Sequence, residues 1–214
     1  MARNKYPEQT VEKILNISYR LFMEKGYENT TIQDITNELG MSKGAIYHHY
    51  KSKADILDAL GDMQYYQRDS FTRVMKDDRL NGLQKLKQAF ILELGNLEKQ
   101  ELDKMMKYVD NPRLLAVMVS DIFTKSAPIF MAVVDEGVAD GSITVSDSRC
   151  ASEVIMLLIN VWMNPMMAPE TMEGILNKLD YLRELTDKMG IPILDDEVYE
   201  VAVNYFKNIL DADV

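Results

Sequence analysis

The chain has 214 residues, 47% of them hydrophobic, with 24 Lys and Arg against 34 Asp and Glu for a net charge of −10. This length carries a substantial core, either as one domain or as a small head on a larger body. No apolar run reaches the ~18 residues of a membrane span, the start MARNKYPEQT lacks a signal peptide's apolar core, and the single cysteine, Cys150, excludes an intramolecular disulfide and points to the reducing cytoplasm.

Residues 1–6 read as a mobile arm. Pro7 or Thr10 opens a first helix, with Val11, Ile14, Leu15, Ser18, Leu21 and Phe22 as its buried stripe and Gly26 as its end. Ile32, Ile35, Thr36 and Leu39 share one face of a short second helix. Thr31 is its N-cap candidate, Asp34 favours its first turn, and Gly40 sits where a left-handed residue stops a helix. Met41 turns the chain, and Ser42 is a fresh N-cap for a third helix. Two short helices around a glycine-containing turn form a helix-turn-helix, whose second helix enters the major groove. On that helix Ile46 and Tyr50 pack inward, while Gly44, Ala45 and His48 face out, flanked by Tyr47, Lys51 and His49. Small residues at the front let the backbone approach DNA closely. Tyr47 and the histidines offer donors to phosphates or base edges, and Lys43, Lys51 and Lys53 add positive charge.

Ser52 caps the next helix, with Asp55 three residues on, and Ile56, Leu57, Leu60, Met63, Phe71 and Val74 carry it toward Asp77-Asp78. A long pattern runs from 83 to about 109, striped by Leu86, Phe90, Leu94 and Leu97 and broken by Asn111-Pro112. The helical region 113–138 contains Pro128, which is expected to kink or divide it. Ala139-Asp140-Gly141-Ser142 is a turn, and Ser146 or Asp147 caps the helix after it. The segment 154–163, VIMLLINVWM, is apolar nearly all round and is expected to be buried on every side, one face toward the interior and the other toward a partner subunit. Pro169 starts a helix carrying Met172, Ile175, Leu176, Leu179, Leu182 and Leu185, closed by Gly190-Ile191-Pro192. Asp195 or Asp196 caps the last helix, striped by Val198, Val201, Ala202, Tyr205, Phe206 and Ile209. No strand alternation of useful length, repeat or low-complexity linker is present.

The stretch GYENTTIQDITNELGMSKGAIYHHYKSKADILDAL resembles the DNA-binding signature of the TetR family of transcriptional regulators. The matching marks are Gly26-Tyr27, Thr30-Thr31, Ile35, Gly40, Ser42-Lys43-Gly44, Ile46-Tyr47, His49-Tyr50 and Lys53. The likeness covers about residues 10–60 and departs mildly, with Thr36 where the family usually has alanine and Tyr50 where phenylalanine is common. It implies an all-α fold: a three-helix DNA-binding head with a helix-turn-helix, residues 1–52, and a larger helical ligand-binding and dimerisation body, residues 53–214. It also implies that the helix 53–76 joins the two and transmits the ligand signal. EGVADGSI resembles the family's turn before its dimerisation helices. Residues 1–53 hold eight Lys and Arg against six Asp and Glu, leaving −12 for the rest, a split that suits contact with DNA at one end.

By this resemblance the chain is a ligand-responsive regulator, most directly a repressor, with activation left open. It binds a near-palindromic double-stranded operator as a homodimer through its carboxy-terminal helices and is released by a small apolar or aromatic effector. The implied DNA surface is Thr31, Gln33, Ser42, Lys43, Gly44, Ala45, Tyr47, His48, His49, Lys51 and Lys53. Gln33, Lys43, Gly44 and Ala45 would read bases, while Tyr47, His49 and Lys53 set position on phosphates. Tyr66, Phe90, Met118, Phe123, Met131 and Trp162 are candidates for the effector cavity, although core or dimer packing would use the same residue types. Asn160 needs a partner if buried. No catalytic residue, cofactor or metal is expected. His48 and His49 diverge by about 100° on a helix, one cysteine leaves the usual zinc sets incomplete, and phosphate loops and nucleophile elbows are missing. The competing class is a helical interaction protein whose head no longer reads DNA; the intact 42–50 helix and its lysines favour the regulator.

Overall fold

Wherever apolar residues recur every three or four positions, the computed structural model has helices, and no strand occurs among the described residues. Those residues are 7–66, 69–105, 112–165 and 167–210, with the backbone alone described at 7–9, 61–66, 69–71, 98, 102, 105, 112–114 and 117. The proposed arm 1–6 and the side chains of Met63, Tyr66 and Phe71 therefore lie outside the described residues. The chain gathers into two compact units, divided between Gln64 and Tyr65.

The first unit holds α1 (Pro7–Lys25), α2 (Ile32–Leu39), α3 (Lys43–His49) and most of α4 (Lys53–Tyr66). Ile14, Leu15, Leu21 and Phe22 of α1 are buried, as are Ile35, Ile46, Ile56, Leu57 and Leu60. The unit takes in four buried residues of α4, Ala54 among them, and runs to Gln64, while the resemblance implies a boundary between 52 and 53. Gly26 takes a left-handed φ of 81° and ends α1. Arg20 pairs with Glu38 at 2.5 Å and Lys25 with Asp34 at 3.4 Å, fastening α1 to α2 at the surface. Ser18 is fully buried, and its hydroxyl has no hydrogen-bond partner among the described residues.

The second unit comprises α5 (Asp69–Met75), α6 (Gly82–Leu94), α7 (Leu97–Met105), α8 (Pro112–Asp121), α9 (Ala127–Asp140), α10 (Ser148–Leu157), α11 (Met172–Lys188) and α12 (Asp196–Leu210), with π-helical turns at Ile122–Ser126 and Leu158–Trp162. Its core includes Val133, Val134, Ile155, Ile175, Leu179, Ile191 and Ala202. α6 crosses α9 where both carry glycine: a Cβ on Gly82 would lie 2.2 Å from the Gly137 nitrogen. The start of α6 is held there, as Gly82 N donates to Asp140 Oδ2 at 2.7 Å and Leu83 N to Ser142 Oγ at 3.2 Å.

Some expected helix bounds change. The 83–109 pattern breaks at Gly95, and Asn96 accepts from Lys99 N at 3.3 Å to cap α7. The 53–76 helix is described as α4 and α5, with residues 67 and 68 outside the described set. The 113–138 region stays helical through a π turn at Ile122–Ser126, with Pro128 just beyond it, one residue into α9, so the lost N–H of the proline is met by a local widening of the helix. The helix expected to start at Pro169 starts at Met172, because Thr171 accepts from Gly174 N at 3.0 Å.

Segment 154–163 is not buried on every side within one chain. Ile155, Met156 and Met163 are buried, but Val154 is 44% exposed and residues 157–162 are half-buried. Asn160 meets its own backbone, donating to Met156 O at 2.9 Å. Tyr205, expected as part of an apolar stripe, instead donates its hydroxyl to Asp103 Oδ2 at 2.7 Å. Asp103 also pairs with Lys99, whose Nζ lies 3.3 Å from Glu93. Burial opposes the Lys99 charge, but Asp103, Tyr205 and Glu93 together hold its pKa well above the ordinary lysine range. This group ties α6, α7 and α12 together.

Candidate nucleic-acid interface

Local chemistry places α2 and α3. Thr31 adopts an extended backbone, and its Oγ1 accepts from Asp34 N at 3.1 Å while Asp34 Oδ2 accepts from Thr31 N at 2.8 Å. This reciprocal cap satisfies two backbone donors that a helix start otherwise leaves open. The hydroxyl and backbone N–H of Thr31, then Lys25, pull the Asp34 carboxyl down to about 2. Gly40 closes α2 at φ 62° and ψ 27°, and Met41 N donates back to Thr36 O at 3.0 Å. Ser42 then caps α3 by accepting from Ala45 N at 3.3 Å.

The inward side of this pair is apolar: Ile35 and Ile46 are fully buried, and Tyr50 is half-buried at the end of α3. Thr36 is buried too, with its hydroxyl donating to Gln33 O at 2.9 Å, so the polar departure from alanine carries its own partner. The outward side presents Lys43, Gly44, Tyr47 and His48 as exposed residues, with Ala45 and His49 half-buried beside them. A Cβ on Gly44 would meet only Ser42 Oγ, at 3.9 Å, so the fold places no demand for glycine there. His48 and His49 stack edge to face at 5.3 Å.

Thr31, Gln33 and Lys51 are exposed, and Ser42 is exposed at the start of α3. Gln33 donates its side-chain amide to Asn37 Oδ1 at 2.7 Å and to Thr36 Oγ1 at 3.2 Å, bonds that reading a base would have to exchange. Lys53 is half-buried, and its ammonium is drawn back onto the chain. Its Nζ donates to Tyr27 O at 2.5 Å and Glu28 O at 3.4 Å and sits 4.1 Å from the Tyr27 ring centroid. Burial lowers its pKa from the ordinary lysine value, and the Glu28 charge partly restores it. Burial, with Glu28 and Asp55, pushes the Tyr27 hydroxyl up to about 12. Sequence reasoning assigned Tyr27 no role, and only its spacing from Lys53 across a helix-turn-helix would have signalled the contact.

The effector candidates are scattered over the second unit. Phe90 packs on the buried core and meets Phe130 edge to face at 6.2 Å. Met118 and Trp162 also pack on the core, Trp162 with its ring 6.1 Å from that of Tyr181. Met131 is half-buried, Phe123 is 43% exposed on its π turn, and the side chain of Tyr66 lies outside the described residues.

Residues 14–60 match the family model described as bacterial regulatory proteins, tetR family. Over 55 residues the chain is 51% identical to the HTH-type transcriptional regulator YerO of Bacillus subtilis, covering 26% of this chain and 18% of that protein. Over 142 residues it is 25% identical to the HTH-type transcriptional repressor KstR2 of Mycolicibacterium smegmatis, covering 64% of this chain and 68% of that protein. The chain thus spans between about a fifth and two thirds of the curated relatives it matches. The solved structure of GusR from Salmonella enterica shares the fold, with a TM-score of 0.58, 16% identity, and coverage of 98% of this chain and 100% of that one.

Proposed function

We propose, for a chain whose amino-terminal unit belongs to the tetR family of bacterial regulatory proteins, that it is a dimeric transcriptional repressor whose operator binding is relieved by a small apolar or aromatic effector. The observation that carries this reading is the helix-turn-helix itself. Its inward side chains are buried, its turn is fixed by Gly40, and its outward face combines small residues with Lys43, Tyr47 and His48. A face of that kind fits a major groove.

In this reading Lys43, Gly44 and Ala45 lie against base edges, and Gln33 joins them by exchanging its internal bonds. Thr31, Ser42, Tyr47, His48, His49 and Lys51 position the head on sugar and phosphate. One such helix reads few bases, so tight binding calls for two heads on a near-palindromic site. The effector is held in the second unit, with Phe90, Met118, Met131 and Trp162 among its candidate contacts, Phe123 at the surface and Tyr66 at the end of α4. Such a regulator works in the cytoplasm; among the described residues no helix is long and apolar enough to cross a membrane.

A mobility-shift titration on fragments of the DNA flanking its own gene, repeated at several salt concentrations, tests the reading. The expected result is one fragment bound with a steep salt dependence and far more tightly than the others. Equal, weak binding to every fragment would refute it.

A further inference from the structure

We propose that Thr36 is a positioning residue that sets base specificity: it holds the Gln33 side-chain amide with its oxygen outward, so that the first turn of α2 selects a base bearing an exocyclic amino group, adenine or cytosine. The proposal rests on the DNA-binding reading above and replaces, within it, the exchange of Gln33's internal bonds by their retention.

A hydroxyl has one proton to donate and two lone pairs with which to accept. Thr36 is 2% exposed, and its Oγ1 donates that proton to Gln33 O at 2.9 Å. Toward the Gln33 side chain it can then only accept, and it accepts from Nε2 at 3.2 Å. The amide nitrogen is thereby fixed toward the helix. Asn37, one turn on, completes the arrangement, its Oδ1 accepting the second Nε2 proton at 2.7 Å. Both donors of Gln33 are engaged inside α2. No described residue donates to its Oε1, and the residue is exposed. What the side chain offers outward is an acceptor. Asn37 alone could not impose this, because its own amide can turn to match either end of the glutamine. The Thr36 hydroxyl cannot turn, since its proton is already placed on the backbone.

Base edges in the major groove differ in this respect. Adenine and cytosine present an amino donor where guanine and thymine present a keto acceptor. A fixed amide oxygen accepts from the first two and meets the other two acceptor to acceptor. The bidentate contact of glutamine with adenine also needs an amide N–H for N7. Here both N–H groups are engaged, so adenine and cytosine are served alike.

The test uses duplexes selected from a random-sequence pool, at one fixed salt concentration, by the full-length wild type, Gln33→Ala, Thr36→Ser, Thr36→Ala and Thr36→Val. Circular dichroism confirms that each variant is folded. The position at which Gln33→Ala loses its preference is the one Gln33 reads. There the wild type is expected to favour adenine and cytosine over guanine and thymine on the order of tenfold. Thr36→Ser keeps the hydroxyl and should keep that preference. Thr36→Ala and Thr36→Val should reduce it to about twofold and leave the preferences at other positions unchanged. A mere packing defect would weaken binding to all sequences alike and would not single out one position. With adenine at that position, its replacement by unsubstituted purine, which lacks the amino group, should cost the wild type about tenfold and Thr36→Val about twofold. A wild-type preference for guanine or thymine there would mean that the amide nitrogen faces out. Adenine favoured over cytosine as strongly as over the keto bases would mean that the internal bonds are exchanged. Either result overturns the proposal, as does a Thr36→Val protein with the wild-type preference or a Gln33→Ala protein that changes no position. If the wild type selects no duplex, the DNA-binding reading itself falls, a result distinct from a selected duplex with the wrong base at this position.

Discussion

At Gly44 the fold and the proposed function make opposite demands. Nothing but Ser42 Oγ lies near the missing Cβ, so alanine fits and should stabilise α3 by about 0.5–1 kcal/mol through lower backbone entropy. The same methyl would stand between the helix and a groove floor. Gly44→Ala is therefore expected to keep or raise the melting temperature while weakening operator binding. Equal affinity for the variant and the wild type would remove Gly44 from the interface. Gly82 is the contrasting case. Its missing Cβ would overlap the backbone of α9, 2.2 Å from Gly137 N and 2.8 Å from Val133 O, and backbone cannot swing aside as a flexible side chain can. Gly82→Ala should cost on the order of 3 kcal/mol by forcing α6 away from α9. Chemical denaturation reads that cost directly, and a variant within about 0.5 kcal/mol of the wild type would show that the crossing has slack.

The short helices of the head were legible because their signals are local. Thr31, Asp34, Gly40 and Ser42 each act within four residues, so their roles as cap, counter-cap and stop could be read in order and reappear as hydrogen bonds. The cap also titrates. Asp34 has its pKa lowered to about 2 from a reference of 3.8, chiefly by the Thr31 hydroxyl. A carboxylate with a depressed folded pKa stabilises above its unfolded value and loses that contribution as pH falls toward the folded one. The melting-temperature gap between wild type and Asp34→Asn should therefore be constant above about pH 5 and close between about pH 4 and 2. A gap independent of pH would assign the cap to hydrogen-bond geometry rather than charge. What could not be read were contacts that join distant parts of the chain. Lys53 reaches back to Tyr27, Tyr205 reaches across to Asp103, and Gly82 meets Gly137; no periodicity marks any of them. The break between α6 and α7 was missed for a related reason. Apolar spacing carries across Gly95-Asn96 without a gap, so only the capping bond from Lys99 N reveals the break.

At the scale of the whole chain, the proposed dimer follows from apolar surface that the second unit leaves uncovered. Val154 is 44% exposed and Tyr181 is 58% exposed, on the helices α10 and α11 that also bury Ile155, Ile175, Leu179 and Leu182. Trp162 lies edge-on to Tyr181, extending an aromatic patch along that side. Single exposed apolar residues are ordinary, but an exposed valine on α10 and an exposed tyrosine on α11, beside a tryptophan, sit on the two helices proposed to meet a second copy. Both positions tolerate charge in a lone chain because solvent already reaches them. The double variant Val154→Glu, Tyr181→Glu should therefore fold with an unchanged circular dichroism spectrum, yet sediment as a monomer at micromolar concentration where the wild type sediments as a dimer. Two linked heads gain affinity from effective concentration, so the monomer should bind an operator on the order of a hundredfold more weakly while its contacts at each half-site stay intact. Carboxylates facing each other across a two-fold axis repel, so the defect should persist at salt concentrations that screen exposed charges, because burial on association limits that screening. A double variant that remains dimeric would move the interface off α10 and α11, and a wild type that is monomeric at the same concentration would remove the two-headed reading of the operator altogether.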